Sequence, residues 1–258
     1  MRNLIMALVI CLVSAEALAS NHSRTLGYNV SWGNVLLAKG QLKYEFFERN
    51  VKITANAGSG WLVAPFRTFK SYASAELAKK DSGWVPKALS MRSVYGGENK
   101  ESEVIWNSAP SVISQTRTPE LDLKEVHPLD GWMLLNVIDP YSAVLNLLDQ
   151  INKTSDCKSS FEIYDGRRRT RLYFKTIGNT FLEQDRPGGF SGNAMVCSVH
   201  FDPIGGHRIN SKWRDKPNEI DRFKIFIARP FLDQLLPIRV EVKSPIGNII
   251  GRLDTRLM

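Results

Sequence analysis

Four arginines crowd one short stretch, Asp165-Gly166-Arg167-Arg168-Arg169-Thr170-Arg171, on or just after a hairpin turn. A guanidinium fork can meet two oxygens of a carboxylate or phosphate at once, so such an edge can grip an anionic headgroup or glycan. Strand alternation sends Arg167, Arg169 and Arg171 to one face and Arg168 to the other. The competing role is structural: a solvated, charged edge discourages strand pairing between molecules.

Other arrangements offer less chemistry. Gly189-Phe190-Ser191-Gly192 is part of the pattern of a nucleophile elbow, but the motif's second glycine falls at Asn193 and the context is a loop. Cys197, His200 and His207 match no common zinc spacing. Gly58-Ser59-Gly60 is too short to cradle a phosphate and reads as a turn. Asp165 and Asp185 could share acid and base work only if the fold brought them together. No catalytic residue, cofactor or metal ligand follows from these patterns.

The compartment decides how these residues are read. Arg2 precedes an apolar run of ten residues from Leu4 to Val13, and Ala17-Leu18-Ala19 follows. That is a secretory leader over 1–19, since a membrane-spanning helix needs about 20 apolar residues. Cleavage is expected after Ala19, with the periplasm as destination. Cys11 follows Ile10, which is not the setting of a lipid-attachment cysteine. Loss of the leader leaves Cys157 and Cys197 as an even pair, expected to bond in an oxidising compartment. Closing a loop of about forty residues stabilises by roughly 3 to 4.7 kcal/mol in the chain-entropy model.

The formal charge of the whole chain is +8, and it survives cleavage because Arg2 and Glu16 leave together. Basic charge outside the cytoplasm favours lipid headgroups, glycans or other anionic envelope components, and nucleic acid is not an expected partner. The longest later apolar patch, Trp132 to Ile138, is short and broken by Asn136, so the mature chain is not expected to be an integral membrane protein.

The elements that must position the arginines are mostly strands. Alternation of period two marks Tyr28, Val30 and Trp32; Leu42, Tyr44 and Phe46; Val51, Ile53, Ala55 and Ala57; Leu89, Met91 and Ser93; and Val104 with Trp106. Gly96-Gly97 reads as a turn. Between 139 and 150 the period changes: Val144, Leu147, Leu148 and Ile151 form one helical face, with Asp139 as cap and Pro140 at the first position. Strands resume with Phe161 and Ile163, turn at Asp165-Gly166 as a two-residue hairpin, and return through Leu172 and Phe174. Met195 to Phe201 alternates, as does Ile238 to Val242, with a turn over Pro245 to Asn248 and a return through Ile249, Gly251 and Leu253. The expectation is a mainly β fold, a strongly curved or partly closed antiparallel sheet with one or two helices packed on it. Residues 20–258 form a single β-rich domain, with a possible division into two sub-lobes near 125–155.

These features in order are similar to a bacterial family described only as domain of unknown function 3108. The resemblance rests on Tyr28 and Gly40, Gly83-Trp84-Val85-Pro86, Asp139-Pro140-Tyr141-Ser142-Ala143, Tyr164-Asp165-Gly166-Arg167-Arg168, and Leu236 to Val242 followed by Pro245-Ile246-Gly247. It implies an exported, β-rich envelope protein with no established reaction. The expected function is a non-catalytic periplasmic protein that binds an apolar or amphipathic envelope component in the concave face of its sheet, or serves envelope maintenance. Its arginine hairpin would touch the anionic part. An envelope glycan or peptide hydrolase using Asp165 and Asp185 is the alternative, and an assembly partner of an outer-envelope complex is the second.

Overall fold

The computed structural model describes residues 22–60, 64, 68–210, 222–231, 234–244 and 247–256. The expected leader and its cleavage site lie outside these residues. Seven strands come first: β1 His22–Trp32, β2 Val35–Phe47, β3 Asn50–Ser59, β4 Phe69–Lys80, β5 Gly83–Tyr95, β6 Glu98–Trp106 and β7 Val112–Thr118. A short 3-10 turn, Gly131–Leu134, leads to the one α-helix among the described residues, α1 Pro140–Thr154. Then follow β8 Ser159–Tyr164, β9 Arg169–Leu182, β10 Gly192–Gly205, β11 Phe223–Phe231, β12 Gln234–Ser244 and β13 Gly247–Asp254.

All thirteen strands join one antiparallel sheet in the order β7 to β1, then β13 to β8. Neighbours in the sheet are therefore neighbours in the chain, except where β1 meets β13 through Gly27 to Trp32. The ends of the described chain form the middle of the sheet, and the middle of the chain supplies both sheet edges. The sheet does not close by a backbone ladder. It curls until β8 faces β7, where Tyr164 Oη donates to Gln115 Oε1.

Alternation works as the sequence indicates: Val51 and Ile53 are buried and Lys52 between them is exposed. β4 escapes such a reading because two of its three inward positions, Ala73 and Ala75, are small and only Leu77 is large, set among serines, lysines and a glutamate. Gly58 and Ser59 continue β3, pairing with Lys39 and Ala38, where the sequence suggests a turn. Gly96 and Gly97 do turn, both at positive φ (57° and 88°) between β5 and β6. Ser244 pairs with Gly247, so Gly247 and Asn248 belong to β13, and the link between the strands is 245–246, outside the described residues.

α1 begins where expected. Asp139 accepts from Tyr141 N at 2.8 Å and Ser142 N at 3.3 Å, and Pro140 stands in the first turn. The helix does more than lay one face on a sheet. It touches β5, β8 and β12, strands from both halves, and no residue from 140 to 151 is exposed. Leu147 and Ile151 join a cluster around Cys157, Leu172, Cys197 and Ile227. Leu145 faces a second cluster with Ile53, Leu89, Tyr164 and Leu253. The helix thus occupies the concave side of the sheet, the place where the sequence reading puts an apolar ligand.

Candidate functional site

The two sheet edges are held together by side chains and one short strap. Ile138 N donates to Glu162 O at 2.9 Å and Tyr164 N to Ile138 O at 2.8 Å, while Val137 N donates to Pro110 O at 2.8 Å. The β8–β9 turn leans on β6: Ser102 Oγ donates to Asp165 O at 3.4 Å. Gly166, at φ +86°, allows this, because a Cβ there would strike the Ser102 side chain. The turn is longer than a two-residue hairpin. Tyr164 pairs with Arg169, so residues 165–168 form the loop. Asp165 Oδ1 accepts from Arg167 N and Arg168 N at 2.9 and 2.7 Å, and these side-chain bonds supply the partners a tight turn would take from the ladder.

This loop places the four arginines in three settings. Arg169 and Arg171 share a face, as alternation requires, and both grip Glu162; Arg171 donates through Nε at 2.7 Å, as does Arg169. Burial alone would raise the Glu162 carboxyl, but the Arg169 and Arg171 bonds outweigh it and hold it below its usual range. Arg168 makes two bonds to Asp165 Oδ2, at 2.9 and 2.7 Å. Arg167 has no carboxylate partner in contact. Its Nη2 donates to Pro119 O at 2.7 Å, and its Nη1 is buried without a partner. Burial first, then the charge of Arg117, pushes its guanidinium below the ordinary value. The glutamate that neutralises half the run lies across the same hairpin, and the register Glu162 to Arg171 is the signal that could have found it.

Arg167 and Arg168 line a cleft of about 680 Å³ along the seam, and Arg169 and Arg171 do not. His207 and Arg208 join from the segment after β10, held by the pairing of Val126 with Arg208. The lining is of mixed charge. Glu98 pairs with Lys100 at 3.5 Å, Glu101 with Arg92 at 3.8 Å and Glu120 with Arg117 at 3.7 Å. Among the described residues, Arg167 and Arg208 remain without ion pairs on one side, and Asp122 and Glu125 on the other. His207 Nε2 donates to Arg169 O at 3.0 Å, with Thr170 Oγ1 at 2.9 Å. Burial is the main cause that moves its imidazole below the ordinary value.

The remaining sequence candidates lie elsewhere. Cys157 and Cys197 form a disulfide, with Cα atoms 6.0 Å apart, so the Cys197 sulfur is not a ligand beside His200 and His207. Asp165 and Asp185 flank opposite ends of β9. Fourteen residues at about 3.3 Å each separate them by on the order of 40 Å along the strand. Asp185 is bound by Arg252 (Nε at 2.9 Å) and Arg239 (Nη1 at 3.4 Å). Ser191 lies in the loop before β10, not on a strand-to-helix turn. Among the described residues, no helix is long and apolar enough to cross a membrane.

No family model matches the chain, and no curated protein matches it. Among solved structures it is similar to the crystal structure of a β-barrel-like protein of domain of unknown function 1849 from Brucella abortus, at 9% identity and a TM-score of 0.48, over 89% of this chain and 94% of that one.

Proposed function

We propose that the protein is an exported, non-catalytic binding protein of the periplasm, related to the 3108 family by its ordered motifs, which holds the headgroup of an amphipathic envelope component in the seam cleft. The observation that carries this is Arg167: a guanidinium without a carboxylate partner, at the wall of a 680 Å³ cleft. An anion in the cleft would give this guanidinium the counter-charge that no carboxylate supplies. Arg208 adds a second uncompensated cation, and Asp122 and Glu125 could receive an ammonium, so a zwitterionic headgroup suits the lining.

The concave side of the sheet is taken by α1, which moves the ligand from the sheet's interior to its seam. Leu123 and Ile209 are exposed beside lining residues and offer apolar surface at the rim. The test is native mass spectrometry of protein isolated from its own envelope, followed by solvent extraction. An intact mass starting at Ser20 and a bound amphiphile that is lost in Arg167→Ala are expected. A chain that keeps residues 1–19, or an Arg167→Ala protein that retains the same amphiphile, would end this reading.

A further inference from the structure

His207 stands in the wall of the seam cleft with Arg167, Arg168 and Arg208. Its segment is tied in place by backbone: Gly206 N donates to His127 O at 3.0 Å, and His127 N donates to His207 O at 2.9 Å. The ring's Nε2 reaches across to β9, where it lies 3.0 Å from Arg169 O and 2.9 Å from Thr170 Oγ1. A carbonyl oxygen only accepts, so Nε2 carries the proton of the neutral ring and Nδ1 is the nitrogen left to take a second one. The fold thus fixes the tautomer, and acid can change the charge of this wall at one atom.

The charges around the imidazole come from three segments besides its own. The β8–β9 loop brings Asp165, Arg167 and Arg168, of which Arg168 binds Asp165 through two nitrogens. The stretch before the 3-10 turn brings Asp122, Glu125 and His127, and β9 brings Arg169, whose guanidinium Glu162 holds. Arg208 is its neighbour in the chain. Burial is the first cause that disfavours a charged ring, and Arg168 and His127 act the same way, against the bond to Arg169 O and the Asp165 carboxylate. A docked anion shifts this balance, because an opposite charge within about 4–6 Å favours the protonated ring by roughly tenfold or more. Such coupling is reciprocal: what the anion does for the proton, the proton does for the anion.

We infer that His207 is a binding residue of the seam and its acid switch: it takes a proton from solvent on Nδ1 as an anionic headgroup docks beside Arg167 and Arg208, so mild acid tightens the hold on the ligand. This rests on the seam being the ligand site. Arginines alone would give binding that ignores pH in this range, since a guanidinium stays charged throughout. An imidazole in the same wall does not.

Calorimetric titration of the isolated protein with dihexanoyl phosphatidylcholine, kept below its micelle concentration, tests it. The phosphodiester and quaternary ammonium of this probe hold their charges from pH 5.5 to 7.5, so a pH effect belongs to the protein. The native chain is expected to bind about fivefold more tightly at pH 5.5 than at 7.5, and at pH 6 to take up about half a proton per ligand, read from the difference in heat between two buffers. His207→Gln keeps an N–H for Arg169 O, and its affinity should change less than about twofold between the two pH values, with no proton uptake. His127→Gln removes an imidazole outside the lining and should keep the gain. No binding at either pH overturns the seam site and the switch with it. Equal binding by the native chain at the two pH values, a gain in acid that survives in His207→Gln, or one lost equally in His127→Gln overturns the switch and leaves the seam site standing.

Discussion

Asn146 in α1 binds both backbone groups of Trp84 in β5: its Oδ1 accepts from Trp84 N at 2.7 Å and its Nδ2 donates to Trp84 O at 2.8 Å. A helix side chain thus takes the place of a strand partner and fixes the helix against one half of the sheet. Gly83 is part of the arrangement, since a Cβ there would meet the Asn146 amide. Replacing Asn146 by Leu preserves volume but strands two backbone groups, at about 1 kcal/mol for each lost bond and more if they stay dry. We expect Asn146→Leu to lose about 1–3 kcal/mol, read as a lower midpoint in urea unfolding with an unchanged slope.

The Cys157–Cys197 bond ties the segment after α1 to β10 and closes a loop with a sequence separation of 40. Both sulfurs lie in the cluster that receives Leu147 and Ile151, so the cross-link anchors the helix's second half. The double substitution Cys157→Ala with Cys197→Ala should cost roughly 3 to 4.7 kcal/mol by loop entropy. Dithiothreitol should lower the unfolding midpoint of the native chain and leave that of the double variant where it was.

His207 makes the seam sensitive to mild acid. Burial holds its folded value below the ordinary 6.5, so between the two values the unfolded chain binds the proton that the folded chain refuses. Its contribution is whole above about pH 6.5 and fades as the pH falls below that. Asp254, held to about 2 chiefly by the hydrogen bond from Arg256, acts in a separate range: its stabilisation is present above 3.8 and is lost as the pH falls through about 2. Unfolding midpoints measured at pH 7.5 and 5 should differ less in His207→Gln than in the native protein; an unchanged difference would show that another group titrates.

Gly206, at φ +73°, lets the segment carrying His207 and Arg208 approach the arginine turn. A Cβ there would collide with the Arg167 carbonyl. Backbone cannot rotate aside as a side chain can, so Gly206→Ala should cost about 1–3 kcal/mol through overpacking, with positive φ adding to it. Hydrogen exchange should show the loss of protection concentrated at His127 and Tyr164, whose backbone N–H groups bond across this region to His207 O and Ile138 O.

What the sequence by itself determined were features that depend on near neighbours. Alternation of Ile238, Val240 and Val242, the cap at Asp139, the turn at Gly96-Gly97 and the face shared by Arg169 and Arg171 all follow from backbone periods and local hydrogen bonding. Where small residues weakened the pattern, as at Ala73 and Ala75 in β4, the strand was not legible, because periodicity is read through hydrophobic contrast.

Tertiary structure decided everything that depended on which distant segments meet. The pairing of β1 with β13 makes the two ends of the described chain the centre of the sheet, and this sends its middle, α1, into the curl. The groove expected on the concave side is filled for that reason. Closure at the seam separates four similar arginines into one without a carboxylate, one held by Asp165 and two held by Glu162. β9 places the two carboxylates considered for acid and base work at opposite ends of one strand. Charge and residue type are properties of the sequence, but whether an arginine is spent or available is set by the groups that folding brings beside it.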